Sequence, residues 1–152
     1  MILDLSKLDN YHENNRIEAK LSLGGLPESL WETYSAFANT VGGVILLGVA
    51  EYEDKSLHPI FLPDPQSLVH EFWSIVNNPE YVSANILTDD DVTIQELEDK
   101  RIIVIEVPRA QNKDLPVYIG TDPYEGSYFR NGEGDYKCTV EEVDTMLQRR
   151  NV

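Results

Sequence analysis

The chain has 152 residues, 41% of them hydrophobic, which is the length of one ordinary domain and enough to bury a core without covalent staples. Lys and Arg total 12 against 27 Asp and Glu, a formal net charge of -15, so most of the surface repels a phosphate backbone and any nucleic-acid contact needs a local basic patch. The single Cys138 excludes an internal disulfide and a cysteine-rich zinc site, and with no signal peptide or long apolar run in view the expectation is a cytoplasmic protein without a membrane partner.

Residues 1 to 15 are polar after a short apolar start. Arg16-Ile-Glu-Ala-Lys-Leu21 then alternates in strand fashion, with Arg16, Glu18 and Lys20 on one face and Ile17, Ala19 and Leu21 toward the core. Ser22 to Leu26 is a loop, and its Gly24-Gly25 lacks the lysine of a phosphate-binding P-loop. From Pro27 to about residue 40 a helix is predicted, because Leu30, Trp31, Tyr34, Phe37, Ala38 and Val41 recur at helical spacing. Gly42 and Gly43 end it, since glycine tolerates the left-handed backbone of a C-terminal cap. Val44-Ile-Leu-Leu47 follows without a polar break and reads as a central strand covered on both faces. Gly48 marks a bulge or a close approach, Glu51 to Lys55 is an acidic loop, and His58 to Leu62 is a short strand.

Asp64, as N-cap before Pro65, opens a second helix to Asn77 with Leu68, Val69, Phe72, Trp73 and Val76 as its apolar stripe. Tyr81–Leu87, Val92–Leu97 and Arg101–Val107 are strand-like, the last two forming a hairpin, and Thr88-Asp-Asp-Asp91 is a turn. Val117–Ile119 and Ser127–Arg130 are short strands, and Thr139 with Glu142 forms the capping box of a last helix running to about Arg150. The fold class expected is therefore α+β: a single domain over residues 1–152, with a mixed β-sheet of about six strands covered by about three helices, near 27–40, 65–77 and 139–150. His12, His58 and His70 are too scattered for a zinc site.

Three pieces of this pattern, Glu18-Ala-Lys20, Ala36-Phe-Ala-Asn-Thr-Val-Gly-Gly43 and Gly48-Val-Ala-Glu51, resemble in order and interval the signature of the Schlafen AlbA-like domain family. Gly126-Ser-Tyr-Phe-Arg-Asn-Gly132 and Thr139-Val-Glu-Glu142 resemble that family's closing element and last helix. The resemblance departs at Ala19, where the family has an aromatic residue, and at Ala50-Glu51, where it has acidic Asp residues. It implies a DNA-binding domain of a bacterial protein of the transcriptional-regulator kind, with further C-terminal domains in a longer chain.

The resemblance also implies two sites. Animal Schlafen proteins that cut RNA use three acids at the matching positions, here Glu13, Glu18 and Glu51; such a set suits Mg2+ or Mn2+ and phosphodiester hydrolysis. The alternative is that Glu18 pairs with Arg16 or Lys20 while Glu13 and Glu51 are solvated loop acids. The second site, for DNA or RNA, comprises Lys20, Asn39, Thr40, Gly42, Gly43, Tyr128 and Arg130, a cleft where a phosphate meets amide groups. Against it stand helix capping by Asn39 and a bridge from Arg130 to a carboxylate of the core sheet. Arg16, Lys137, Arg149 and Arg150 are further candidates for a basic patch. Three functions stay open: nucleic-acid binding, a metal-dependent ribonuclease, and a protein-interaction module such as a homodimer contact.

Overall fold

The computed structural model describes residues 3–151; the apolar start at Met1 and Ile2 and the final Val152 lie outside the described residues. In chain order it forms β1 (Ile17–Lys20), α1 (Ser29–Asn39), β2 (Gly43–Leu47), β3 (Val49–Glu51), β4 (Leu57–Pro59), α2 (Pro65–Val76), β5 (Val92–Leu97), β6 (Lys100–Val107), α3 (Pro123–Gly126), β7 (Tyr128–Asn131), β8 (Gly134–Lys137) and α4 (Val140–Arg150). Strands β1, β2, β6 and β5 lie side by side in that order, β1 parallel to β2 and the other neighbours antiparallel, which makes the sheet mixed.

Side-chain alternation along these strands divides the interior in two. Ile45, Leu47, Ile103, Ile105 and Val107 join Tyr34, Phe37, Phe72, Val76 and Val143 beneath the helices. Val44, Leu46, Ile102, Val104 and Ile17 instead meet Leu8, Val49 and Leu57 on the opposite face. Every residue of β2 is buried, as expected of an apolar run covered from both sides. Trp31 stacks on Phe72 with ring centroids 5.0 Å apart, and Trp73 packs against the same cluster, so both indoles serve the core.

The α+β class is as expected, but the main sheet has four strands, not six. Four further strands form two separate two-stranded ribbons, β3–β4 and β7–β8. Tyr81–Leu87 is not a ladder strand: Val82 bridges Ile119 singly, Ser83 N donates to Tyr118 O, and the Tyr34 hydroxyl accepts from Ile86 N while donating to Ala84 O. Val117–Ile119 is likewise reduced to isolated bridges. Leu21 and Val41, expected toward the core, are exposed, because β1 ends at Lys20 and α1 ends at Asn39 before either residue.

The turn between α1 and β2 behaves as its glycines require. Gly42 takes φ +76°, its N–H donates to Phe37 O at 2.8 Å, and a Cβ there would sit 2.7 Å from Val107 O. A Cβ on Gly43 would sit 2.8 Å from the Phe37 ring. Gly48, at φ +83°, admits the Leu62 side chain between β2 and β3. The Asp64 cap and the Thr139–Glu142 capping box are both formed.

Candidate functional site

β1 is an edge strand, and an edge needs partners for its outward N–H and C=O groups. The polar lead-in supplies one: Asn14 bridges Ile17, which folds Glu13 back so that its carboxylate accepts from Ala19 N at 2.9 Å. Arg130, on β7, supplies the other. Its Nη2 donates to Ile17 O and Asn14 O, its Nε to Asn14 O, and its Nη1 to Glu18 Oε1 at 2.9 Å and to Asp135 Oδ1 at 2.7 Å. The guanidinium also lies over the Phe37 ring, 4.9 Å from its centroid. All five of its N–H groups are therefore taken, and the side chain is fully buried.

Asn39 and Thr40 join the two distant motif segments. Asn39 Nδ2 donates to Val117 O and Tyr128 O, its Oδ1 accepts from Val117 N, and Thr40 Oγ1 accepts from Arg130 N at 3.0 Å. Neighbouring Ser35 is fully buried and bonds Val117 O and Tyr128 N in the same way. Lys20 reaches Ser29 Oγ at 3.0 Å and Glu18 at 4.0 Å. Tyr128 is half-buried beside Glu32, and its phenol is raised by burial and by that carboxylate. These groups meet one another around Arg130 and spend their hydrogen bonds on protein partners.

The acids are arranged differently. Glu13, Glu51 and Glu133 each offer a carboxylate oxygen, and these oxygens all lie within 4.8 Å of one another. Oxygens about 2.0–2.1 Å from a shared Mg2+ are at most about 4.2 Å apart, so a group spread over up to 4.8 Å has to close slightly around such an ion, with water completing the shell. Burial, and then the adjoining Glu18 carboxylate, push the Glu13 carboxyl up to about 7, partly offset by the Ala19 N–H bond. Glu51, at the end of β3, is raised by burial and by Glu13, against a weak pull from Lys55 at 3.8 Å. Three carboxyl groups gathered in this way offer oxygens of the kind a hard cation takes, once Glu13 has released its proton. Of the three acids singled out in the sequence, Glu13 touches both others, while Glu18 is held by Arg130 and Lys20; Glu133, in the β7–β8 turn, takes the third place.

Gly42 and Gly43 lie elsewhere, lining a cavity of about 310 Å³ at the start of β2 together with Arg16 and Arg109. Glu133, Asp135 and Arg109 are the residues that reading the sequence missed. Asp135 binds Arg130 and accepts from Thr33 Oγ1 at 2.6 Å, yet its strand Gly134–Lys137 is polar and half exposed, with no apolar alternation to reveal it. Burial pushes the Cys138 thiol up to about 12, so it is no nucleophile at neutral pH.

The chain matches the family described as Schlafen, AlbA_2 over residues 13–139. No curated protein matches it. Among solved structures it is similar to the N-terminal domain of a protein from Nitrosomonas europaea named as related to the ATP-dependent DNA helicase RecG, with 29% identity and a TM-score of 0.64 over 90% of this chain and 91% of that one. It is also similar to the DIP2311 protein from Corynebacterium diphtheriae, with 16% identity and a TM-score of 0.50 over 82% of this chain and 22% of that one, a likeness of fold alone. Among the described residues no helix is long and apolar enough to cross a membrane.

Proposed function

The chain belongs to the Schlafen AlbA_2 family, and from that premise we propose that it is a cytoplasmic nucleic-acid-binding domain, DNA being its first target, that meets the phosphate backbone at the Glu13 carboxylate cluster with the help of a divalent cation. The N. europaea relative named for a DNA helicase supports the choice of DNA. The observation that carries the reading is the convergence of Glu13, Glu51 and Glu133 within 4.8 Å. A bare cluster of acids repels phosphate; Mg2+ or Mn2+ bound there supplies the positive charge that a chain of net charge -15 lacks. Glu13 and Glu51 are the principal ligands, and Arg130 acts as a positioning residue, holding Glu18 and the edge of β1 in place. A regulatory role in transcription belongs to this reading as its finer form, exercised within a longer protein.

The test is fluorescence anisotropy with short labelled DNA and RNA at low salt, with Mn2+ and then with chelator. Binding in Mn2+ that weakens at least about tenfold on chelation, and falls linearly in log affinity with log salt, is the expected result. Absence of binding under both conditions overturns the proposal, and binding indifferent to chelation overturns the role of the acids.

A second reading, metal-dependent phosphodiester hydrolysis, is favoured by one observation: Glu13, Glu51 and Glu133 converge where a bound cation would lower the pKa of a coordinated water. Cleavage of RNA in Mn2+, lost in both Glu13→Gln and Glu51→Gln, is what it expects. Intact RNA after prolonged incubation removes it.

A further inference from the structure

We infer that the cavity at the Gly42–Gly43 turn is a phosphate seat in which Arg16 and Arg109 grip one phosphodiester of the bound nucleic acid; it rests on the nucleic-acid reading above and is separate from the carboxylate cluster. The fold builds this place through a close backbone approach. Because Gly42 has no Cβ, the end of β6 comes within reach of the turn, which sets Arg109, two residues beyond Val107, on the same cavity as Arg16, the residue before β1.

Their place at the cavity, rather than the lack of an ion pair alone, singles out these two arginines. Lys20, Lys55, Arg130 and Lys137 each have a carboxylate within 4.0 Å; among the described residues the other lysines and arginines have none, and of these only Arg16 and Arg109 line this cavity. Arg16 Nε is moreover buried without any hydrogen-bond partner. The forked N–H groups of arginine match the paired oxygens of a phosphate.

Two acids share the wall, and they define the ligand. Asp91 Oδ2 accepts from Thr88 N and Oγ1, and Glu106 stands opposite Val44 in the sheet register. With two arginines against two acids the lining has no bulk positive potential, so any anion is held only by the directed N–H groups of the arginines. Such a lining suits a singly charged diester held by directed hydrogen bonds, and disfavours a polyphosphate that depends on bulk positive potential.

The experiment titrates a short labelled DNA duplex and its RNA counterpart, in Mn2+ at several salt concentrations, against wild type, Arg16→Gln, Arg109→Gln and the control Arg101→Gln, an exposed β6 residue outside the cavity. Arg16→Gln and Arg109→Gln are each expected to weaken binding about tenfold, and to lower the slope of log affinity against log salt by about one, while Arg101→Gln binds like wild type. Exposed Arg109 can be replaced without disturbing the core, so Arg109→Gln decides the matter if Arg16→Gln does not fold. Wild-type affinity and slope in Arg109→Gln overturn the seat while leaving the binding function intact. Failure of wild type itself to bind either nucleic acid overturns both.

Discussion

Arg130 and Arg16 attend the same strand, β1, with opposite outcomes. Arg130 lies along its outer edge, spends all five N–H groups on Asn14, Ile17, Glu18 and Asp135, and has a side chain fully out of solvent. Arg16, directly before the strand, has no carboxylate within 4.0 Å among the described residues and keeps a buried Nε without an acceptor. A saturated buried cation is part of the architecture, because its desolvation is compensated only while every partner stays in place. An unsaturated one at a cavity is available to a ligand. The acids divide in the same manner, with Glu18 and Asp135 committed to Arg130 while Glu13, Glu51 and Glu133 are left facing one another.

This contrast breaks most visibly at Arg130. Arg130→Met leaves Glu18 and Asp135 without their cation and is expected to cost about 3–5 kcal/mol in urea denaturation. A loss below about 1 kcal/mol would deny Arg130 its architectural role. Asn39→Ala removes the amide that joins Val117 to Tyr128 and is expected to cost about 2–3 kcal/mol by the same measurement.

Glu13→Gln sharpens the other side. The folded carboxyl sits at about 7, above its ordinary 4.5, so the fold favours the protonated form. That contribution is whole below pH 4.5 and is lost as the pH rises through 7. After discounting for solvent screening at this half-exposed group, wild type in chelator should lose about 1–2 kcal/mol over that window that Glu13→Gln does not lose. Parallel stability profiles would show that Glu13 ionises without penalty. The smallest effect is expected for Arg109→Gln, whose stability should stay within about 0.5 kcal/mol of wild type, since its side chain supports nothing in the fold.

Much of this was legible in the sequence where local chemistry and tertiary packing agree. The glycine reversal after Asn39, the buried Val44–Leu47 strand, the β5–β6 hairpin and the caps at Asp64 and Thr139 are each dictated by a residue type at a fixed offset. Tyr81–Leu87 misled because its alternation fits a strand while its hydrogen bonds go to a side-chain hydroxyl, the Tyr34 phenol, and to scattered bridges. Periodicity records which faces are buried, not which groups pair. Glu133 and Arg109 were illegible for a related reason: both are exposed residues just beyond strand ends, and their neighbours are chosen by turns far away in the chain. The resemblance pointed to Glu13, Glu18 and Glu51, but only the fold assigns Glu18 to Arg130 and brings Glu133 beside the other two.

The most direct test of the carboxylate cluster is a Mn2+ titration followed by the electron paramagnetic resonance signal of the free ion, with wild type and Glu13→Gln side by side. One saturable site per chain in wild type, weakened at least about tenfold in Glu13→Gln, is the predicted result. A free-ion signal that rises with added Mn2+ as it does in buffer alone would contradict the cation site, and with it the proposed means by which so acidic a domain approaches a phosphate backbone.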